Sequence, residues 1–169
     1  MSNYAFDTGG SNILAVAKIN DASGATVTVA ATATPQAILD AALFLQDTNT
    51  SNGGLTFSGT TGKWTVATVA GIGKYEVMAV AGDVIGTNAA VMDVEIVAVS
   101  GGAAAAQKGI GAHKVEPATA TRVGMTPAYA VVDLSAVGDT VEAQLRVGSN
   151  GHAGVFRDFA LVLRKIGGV

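Results

Sequence analysis

Cysteine is absent from this 169-residue chain, which removes disulfide frameworks, thiol nucleophiles and cysteine-held zinc together. Charge is scarce as well. Asp, Glu, Lys and Arg make up 14% of the residues, against roughly 25% in an average soluble domain. A monomer ordinarily coats itself in charge, so a surface this poor in it implies contact with other chains. The net charge of −3 gives no footing for a phosphate backbone, and nucleic acid is not expected as a partner. No apolar run reaches the ~18 residues of a membrane span. The opening "MSNYAFDTGGSNILAVAKIND" has no basic segment ahead of a long apolar block. Neither a membrane partner nor a secretory leader is expected, and the chain is expected to be soluble.

Catalytic groupings are lacking too. His113 and His152 are the only histidines, and they stand in no metal-ligand spacing. Ser149 lies near His152 in "GSNGHAG", but the Gly-x-Ser-x-Gly elbow is missing and a turn between strands holds a nucleophile poorly. Gly62-Lys63 and Gly73-Lys74 resemble the end of a phosphate loop only superficially. Phe57 and Thr68 occupy the place of the earlier glycine, and Trp64 and Tyr75 that of the Ser or Thr. "GIGAHK" fails the dinucleotide pattern, which also needs a helix after it. The oxygen-rich segments "NDASG", "QDTNTSNGG" and "AGDVIGTN" show no calcium-loop spacing and read as turns. Asn49-Thr50-Ser51 is a formal glycosylation acceptor that matters only on a secretory route. No enzyme activity and no cofactor or metal is expected.

What the chain does contain is short Val/Ile/Thr-rich runs divided by Gly, Asn, Asp and Ser, the pattern of an all-β sandwich or barrel. Asn20–Gly24 reads as a turn leading into a strand over Ala25–Thr34. Pro35–Thr48 fits a short helix capped at Thr34 or a strand, with strand favoured. "LTFS" and "KWTV" follow as short strands. In "AVMDVEIVAVS", Met92, Val94, Ile96 and Ala98 share one side, with Asp93 and Glu95 on the other. That period of two marks a half-buried strand. Gly101–Lys114 reads as a flexible loop or hairpin tip, and Pro127–Val137 as the next strand. Alternation is cleanest in Asp139–Val147, where Val141, Ala143, Leu145 and Val147 face inward and Glu142, Gln144 and Arg146 outward. Gly138-Asp139 suits a reversal between antiparallel strands, because Gly accepts a left-handed backbone and Asp bonds a nearby N–H. The last strand is Val155–Ile166. No repeat at a fixed period is present. Residues 1–20 are expected as an extended arm and 21–169 as one domain.

Aromatics are few, with one tryptophan, three tyrosines and five phenylalanines, so each anchors packing. Trp64, Tyr75, Phe156 and Phe159 lie in the best strands and are expected in the core, or else between subunits. Arg157, Asp158, Arg164 and Lys165 are candidates for subunit seams, or for a merely solvated face.

The order of these motifs resembles the C1q/TNF-like family from about Leu55 to Ile166. "GKWTVATVAGIGKYEVMAV" is similar to the aromatic-led strand that reaches a Gly-x-Tyr, here Gly73 and Tyr75. "VDLSAVGDTVEAQLRV" is similar to the Gly-Asp element at Gly138 and Asp139. "VFRDFALVLRKI" is similar to the closing strand with its two aromatics, Phe156 and Phe159. Arg157-Asp158 stands where the family usually has Ser-Gly. The resemblance implies an antiparallel jelly-roll sandwich that assembles as a homotrimer. With no collagen repeat and no cysteine pattern, the likeness is strongest to trimeric bacteriophage decoration (cement) proteins of this fold. It implies a virion structural protein on the outer capsid surface, bound to the major capsid protein. Tyr4, Phe6, Ile13 and Leu14 of the arm are the capsid-contact candidates. The alternative is a fibre-tip module that binds a receptor or glycan.

Overall fold

The computed structural model describes residues 14–28, 36–37, 45–46, 53–58, 61–86, 90–100, 103–115, 122–123, 127–147 and 153–168. Twelve strands are present among them. They are β1 (Leu14–Thr28), β2 (Gln36–Ala37), β3 (Leu45–Gln46), β4 (Leu55–Ser58), β5 (Lys63–Val66) and β6 (Gly73–Gly86). β7 (Ala90–Ser100), β8 (Ala103–Val115), β9 (Arg122–Val123), β10 (Ala128–Leu134), β11 (Thr140–Val147) and β12 (Ala153–Gly167) complete the set. One 3-10 turn, Val69–Gly71, joins β5 to β6.

The strands form two antiparallel sheets. The first has the order β10-β6-β12-β1-β3, with β9 also pairing β6. The second runs β4-β5-β11-β7-β8, with β2 also pairing β11. Alternation along each strand puts one side chain in two between the sheets. In β10, Ala128, Ala130, Val132 and Leu134 point inward while Tyr129 and Val131 stay outside. Across the first sheet the register aligns Ala130, Val77, Leu163 and Ala15 in one interior row. Val94, Ile96, Ala98, Val141, Ala143, Trp64 and Val66 line the facing sheet. Trp64, Tyr75, Phe159, Leu134, Leu161 and Leu163 are the bulk of the filling, and many of the positions between them are Ala or Val. Small residues let the sheets approach closely around a few large anchors.

Several expectations need correction. The turn read at Asn20–Gly24 does not reverse the chain. β1 pairs β12 on both sides of it, Asn20 with Asp158 and Ala25 with Phe156, so the extra residues form a bulge in a continuous strand. Gly, Ser and Asp suit a bulge as well as they suit a turn. Leu14–Asn20, taken as the end of an arm, is therefore the first half of β1. Of the strand expected over Ala25–Thr34, Ala25–Thr28 belongs to β1 and the rest lies outside the described residues. Within Pro35–Thr48, β2 joins the second sheet and β3 the first; its other residues lie outside the described set.

Gly101–Lys114 was expected as a flexible loop or hairpin tip; consecutive strands β7 and β8 do pair antiparallel, but Ala103–Val115 is itself a strand, paired with β7 from Ser100–Ala103 to Ala90–Val115. Ala and Gly carry little strand preference of their own, and a neighbouring strand overrides it. The Gly138-Asp139 reversal, for which a plain hairpin turn was expected, is not a hairpin. It joins β10 to β11, which lie in different sheets, so it hands the chain across the sandwich. Glu95 was placed outward, and Glu142 likewise. Both are on the outer face of their sheet but are only 3% and 5% exposed.

Candidate interaction surface

The residues picked out by sequence fall mostly into the core. Trp64 is fully buried on β5, with the Phe57 ring 5.2 Å away in an edge-on arrangement. Tyr75 is fully buried on β6, and its hydroxyl donates to the Gly71 carbonyl at 2.6 Å. Burial pushes that phenol up to about 12, because an ionised oxygen there would lose its water. Phe159 on β12 is buried against the same core. Phe156 pairs through its backbone with Ala25 and Val84. Gly73 sits where an added Cβ would meet the Gly167 carbonyl and the Lys165 side chain, so the end of β12 packs directly on backbone.

Gly138 has φ of 97°, the left-handed conformation that a side chain resists. Asp139 behind it is buried, and one carboxylate oxygen accepts from the backbone N–H of Ser135 at 2.6 Å and of Ala136 at 2.9 Å. The turn is further tied to β5, with Gly138 N–H donating to Val66 O and Val66 N–H to Asp139 O. These residues fix the fold and hold no reactive geometry. Among the described residues, no three His, Asp or Glu side chains come together in a way that would hold a metal.

The surface that calls for explanation lies elsewhere, on the outer face of the first sheet. The register places Tyr129, Met78, Val162 and Val16 side by side across β10, β6, β12 and β1. Tyr129 is 54% exposed, Met78 39% and the nearby Val131 45%. Two residues along the strands, the row is Val131, Glu76 and Arg164, with the backbone of Leu14 paired opposite Arg164. There Arg164 lies 3.7 Å from Glu76, and the Tyr129 hydroxyl donates to Glu76 at 3.2 Å. Desolvation raises the Tyr129 phenol, the Glu76 carboxylate adds to that rise, and Arg164 opposes it. The face is thus an apolar row bordered by a small polar network.

Sequence reasoning passed over Tyr129 and Met78. The signal was available in "AYAVVDL", whose outward set opens with Tyr129 and Val131 before reaching Asp133, two large apolar side chains on a face that a solvated strand would fill with polar ones. Of the seam candidates, Arg164 is on this face, whereas the Lys165 ammonium reaches back to the Ala70 carbonyl at 2.9 Å. The side chains of Arg157 and Asp158, and all of Tyr4, Phe6 and Ile13, lie outside the described residues; Leu14 begins β1 opposite Arg164.

No family model matches the chain, and no curated protein matches it in sequence. Among solved structures it is similar to the Eiger TNF of S. frugiperda, with 13% identity, a TM-score of 0.54, and coverage of 92% of this chain and 94% of that one. The fold is a TNF-like jelly roll. At that identity the likeness extends to architecture alone, and it covers nearly the full length of both chains. The two sheet orders, with strands consecutive in sequence repeatedly passing from one sheet to the other, are the jelly-roll arrangement.

Proposed function

We propose that this protein is a virion structural protein, a homotrimeric decoration protein that sits on the outer capsid surface and reinforces the shell. The observation that carries the reading is the Tyr129–Met78–Val162–Val16 row. A monomer gains nothing by leaving such a row in water, while a second copy laid against it removes apolar area at roughly 25 cal/mol per Å². The scarcity of charge over the whole chain supports the same view. The Glu76–Arg164 pair at the border of the row supplies a register for copy against copy, since a like-charged misalignment costs energy.

Attachment to the shell follows from repetition. Three copies bring three sets of weak contacts to a surface that is itself periodic, and each bound contact raises the effective concentration of the next. Residues 1–13, with Tyr4, Phe6 and Ile13, provide a segment able to add a strand to an exposed sheet edge.

Light scattering on the purified chain tests the seam. The expected mass is three times that of one chain, and the Met78→Lys/Tyr129→Lys variant is expected to run as a folded monomer. A wild-type monomer at micromolar concentration overturns the reading. A trimer that ignores shells but captures glycans on an array moves the function to a fibre tip.

A further inference from the structure

Within one copy, Glu76 and Arg164 are neighbours across β6 and β12, yet their closest approach, Arg164 Nη1 to Glu76 Oε2, is 3.7 Å. A charge-assisted hydrogen bond between such groups is about 2.7–2.9 Å long. The two therefore form an ion pair without a hydrogen bond. The other carboxylate oxygen, Oε1, accepts from the Tyr129 hydroxyl. The Arg164 side chain is 61% exposed and that of Glu76 36%, so both stand where a covering copy would strip their water. Charges taken out of water need close partners and filled hydrogen bonds, and a 3.7 Å approach supplies neither.

Ring closure indicates where the better partner lies. Three copies around an axis meet head to tail, so each presents two different patches to its neighbours. The outer face of the first sheet divides in that way. Its β10–β6 half carries the protruding Tyr129 and Met78, and its β12–β1 half carries the smaller, half-buried Val162 and Val16. Charge divides along the same line. On the first half Lys74 and Asp133 lie 3.6 Å apart and balance each other, which leaves Glu76 in excess. On the second, Arg164 is the charged residue among the described outward side chains, with the exposed Ile166 beyond it. The register sets Glu76 and Arg164 at one height along the strands. Rotation about an axis parallel to the strands keeps that height from copy to copy.

We propose that Arg164 of one copy pairs with Glu76 of the next, so that the β10–β6 half of each copy closes on the β12–β1 half of its neighbour. The inference rests on the homotrimer reading given above and names the contact that closes the ring. Tyr129 holds the carboxylate from its own copy, and the neighbour's guanidinium brings N–H groups to the other oxygen. The site is complete only in the assembly, which makes ring closure selective for copies of this chain in this register.

The test is light scattering and native mass spectrometry on the full-length chain. Glu76→Arg and Arg164→Glu each put like charges at every seam and are expected to weaken assembly at least about tenfold, leaving monomers that circular dichroism shows to be folded. The double variant Glu76→Arg/Arg164→Glu is expected to trimerise again. Mixing the two single variants separates pairing between copies from pairing within one. A ring of three that holds both variants joins opposite charges at two seams and like charges at the third. Mixed trimers, weaker than those of the double variant, are therefore expected. A mixture that stays monomeric while the double variant trimerises puts the pair within one copy and overturns the inference. A mixture that yields only dimers overturns it too, because two copies face to face satisfy every pair without a ring of three. Single variants as trimeric as wild type also overturn it and leave the decoration reading intact, whereas a wild-type monomer overturns both. Glu76→Lys and Arg164→Asp, smaller reversals, repeat the mixing where the first pair disturbs folding.

Discussion

Tyr75 shows how much a single side chain does in a core with few large residues. Its ring fills space between the sheets, and its hydroxyl satisfies the carbonyl of Gly71 in the 3-10 turn between β5 and β6. Removing the oxygen in Tyr75→Phe leaves that carbonyl without its donor, at a cost of about 1–3 kcal/mol at neutral pH. Alkali discriminates further. The unfolded phenol ionises near pH 10, whereas in the folded protein it keeps its proton up to about 12. Between those values the unfolded state has lost a proton that the folded state retains, so stability falls as pH rises, by about 1.4 kcal/mol per unit at most. Below pH 10 this effect is absent. Urea unfolding from pH 8 to 11.5 is therefore expected to show a decline in the wild type above pH 10 that is shallower in Tyr75→Phe. Parallel declines would mean that Tyr75 is not the group responsible.

At the scale of elements, the β10–β11 turn is the part whose sequence and geometry agree most closely. Gly138 and Asp139 were recognisable as a turn from residue chemistry alone, and the structure gives each its expected job: the positive φ for one and the backbone cap for the other. The two sites should respond differently. Nothing lies within 4 Å of a Cβ placed on Gly138, so Gly138→Ala carries only the conformational penalty, about 1 kcal/mol. Asp139→Ala uncaps two N–H groups in a buried position and is expected to cost about 2–4 kcal/mol, with Asp139→Asn recovering part of it. Denaturant midpoints of the three variants give the order, and an Asp139→Ala protein as stable as Gly138→Ala would remove the cap from the account. What the turn connects was not legible. A hairpin and a hand-over between sheets use the same local chemistry, and only the packing of Leu134 and Val141 in opposite layers distinguishes them. β8 was hidden for a related reason. Its Ala/Gly-rich sequence has no alternation to detect, and the strand exists because β7 offers a continuous ladder. The outer row at Tyr129 and Met78 was missed because each outward set also carries charge, Asp133 in β10 and Lys74 and Glu76 in β6, so neither strand read alone departs from an ordinary solvated face. The buried carboxylates show the opposite failure. Glu142 follows the outward phase as read, yet Lys63 lies 3.2 Å away and Gln144 donates to it at 2.7 Å, so the outward face is itself partly covered.

For the whole molecule, the central question is where the body ends and the reach for a partner begins. The sequence suggested that boundary at residue 20, which would make deletion of residues 2–18 a clean removal of an arm. The pairing of β1 with β12 moves the cut. Leu14 to Lys18 lie opposite Arg164 to Ala160, and Ala15 and Ala17 are fully buried. A chain lacking residues 2–18 loses a central stretch of the first sheet, and β12 is left with an unpaired edge over Leu161 and Leu163. Lost ladder hydrogen bonds at about 1 kcal/mol each make that truncation destabilising by several kcal/mol, a large part of the stability of a domain this size. Deletion of residues 2–13 stops short of the sheet. It is expected to keep the thermal midpoint and the solution mass of the full chain, and on the decoration reading proposed above shell binding falls by at least about tenfold, the share that a strand-adding segment contributes. Circular dichroism melts, light scattering and co-sedimentation on the two truncations separate the cases. Undiminished shell binding by the shorter deletion would deny residues 1–13 any part in attachment. An equal melting temperature for both truncations would mean that the first half of β1 contributes nothing to the sandwich, which the burial of Ala15 and Ala17 argues against.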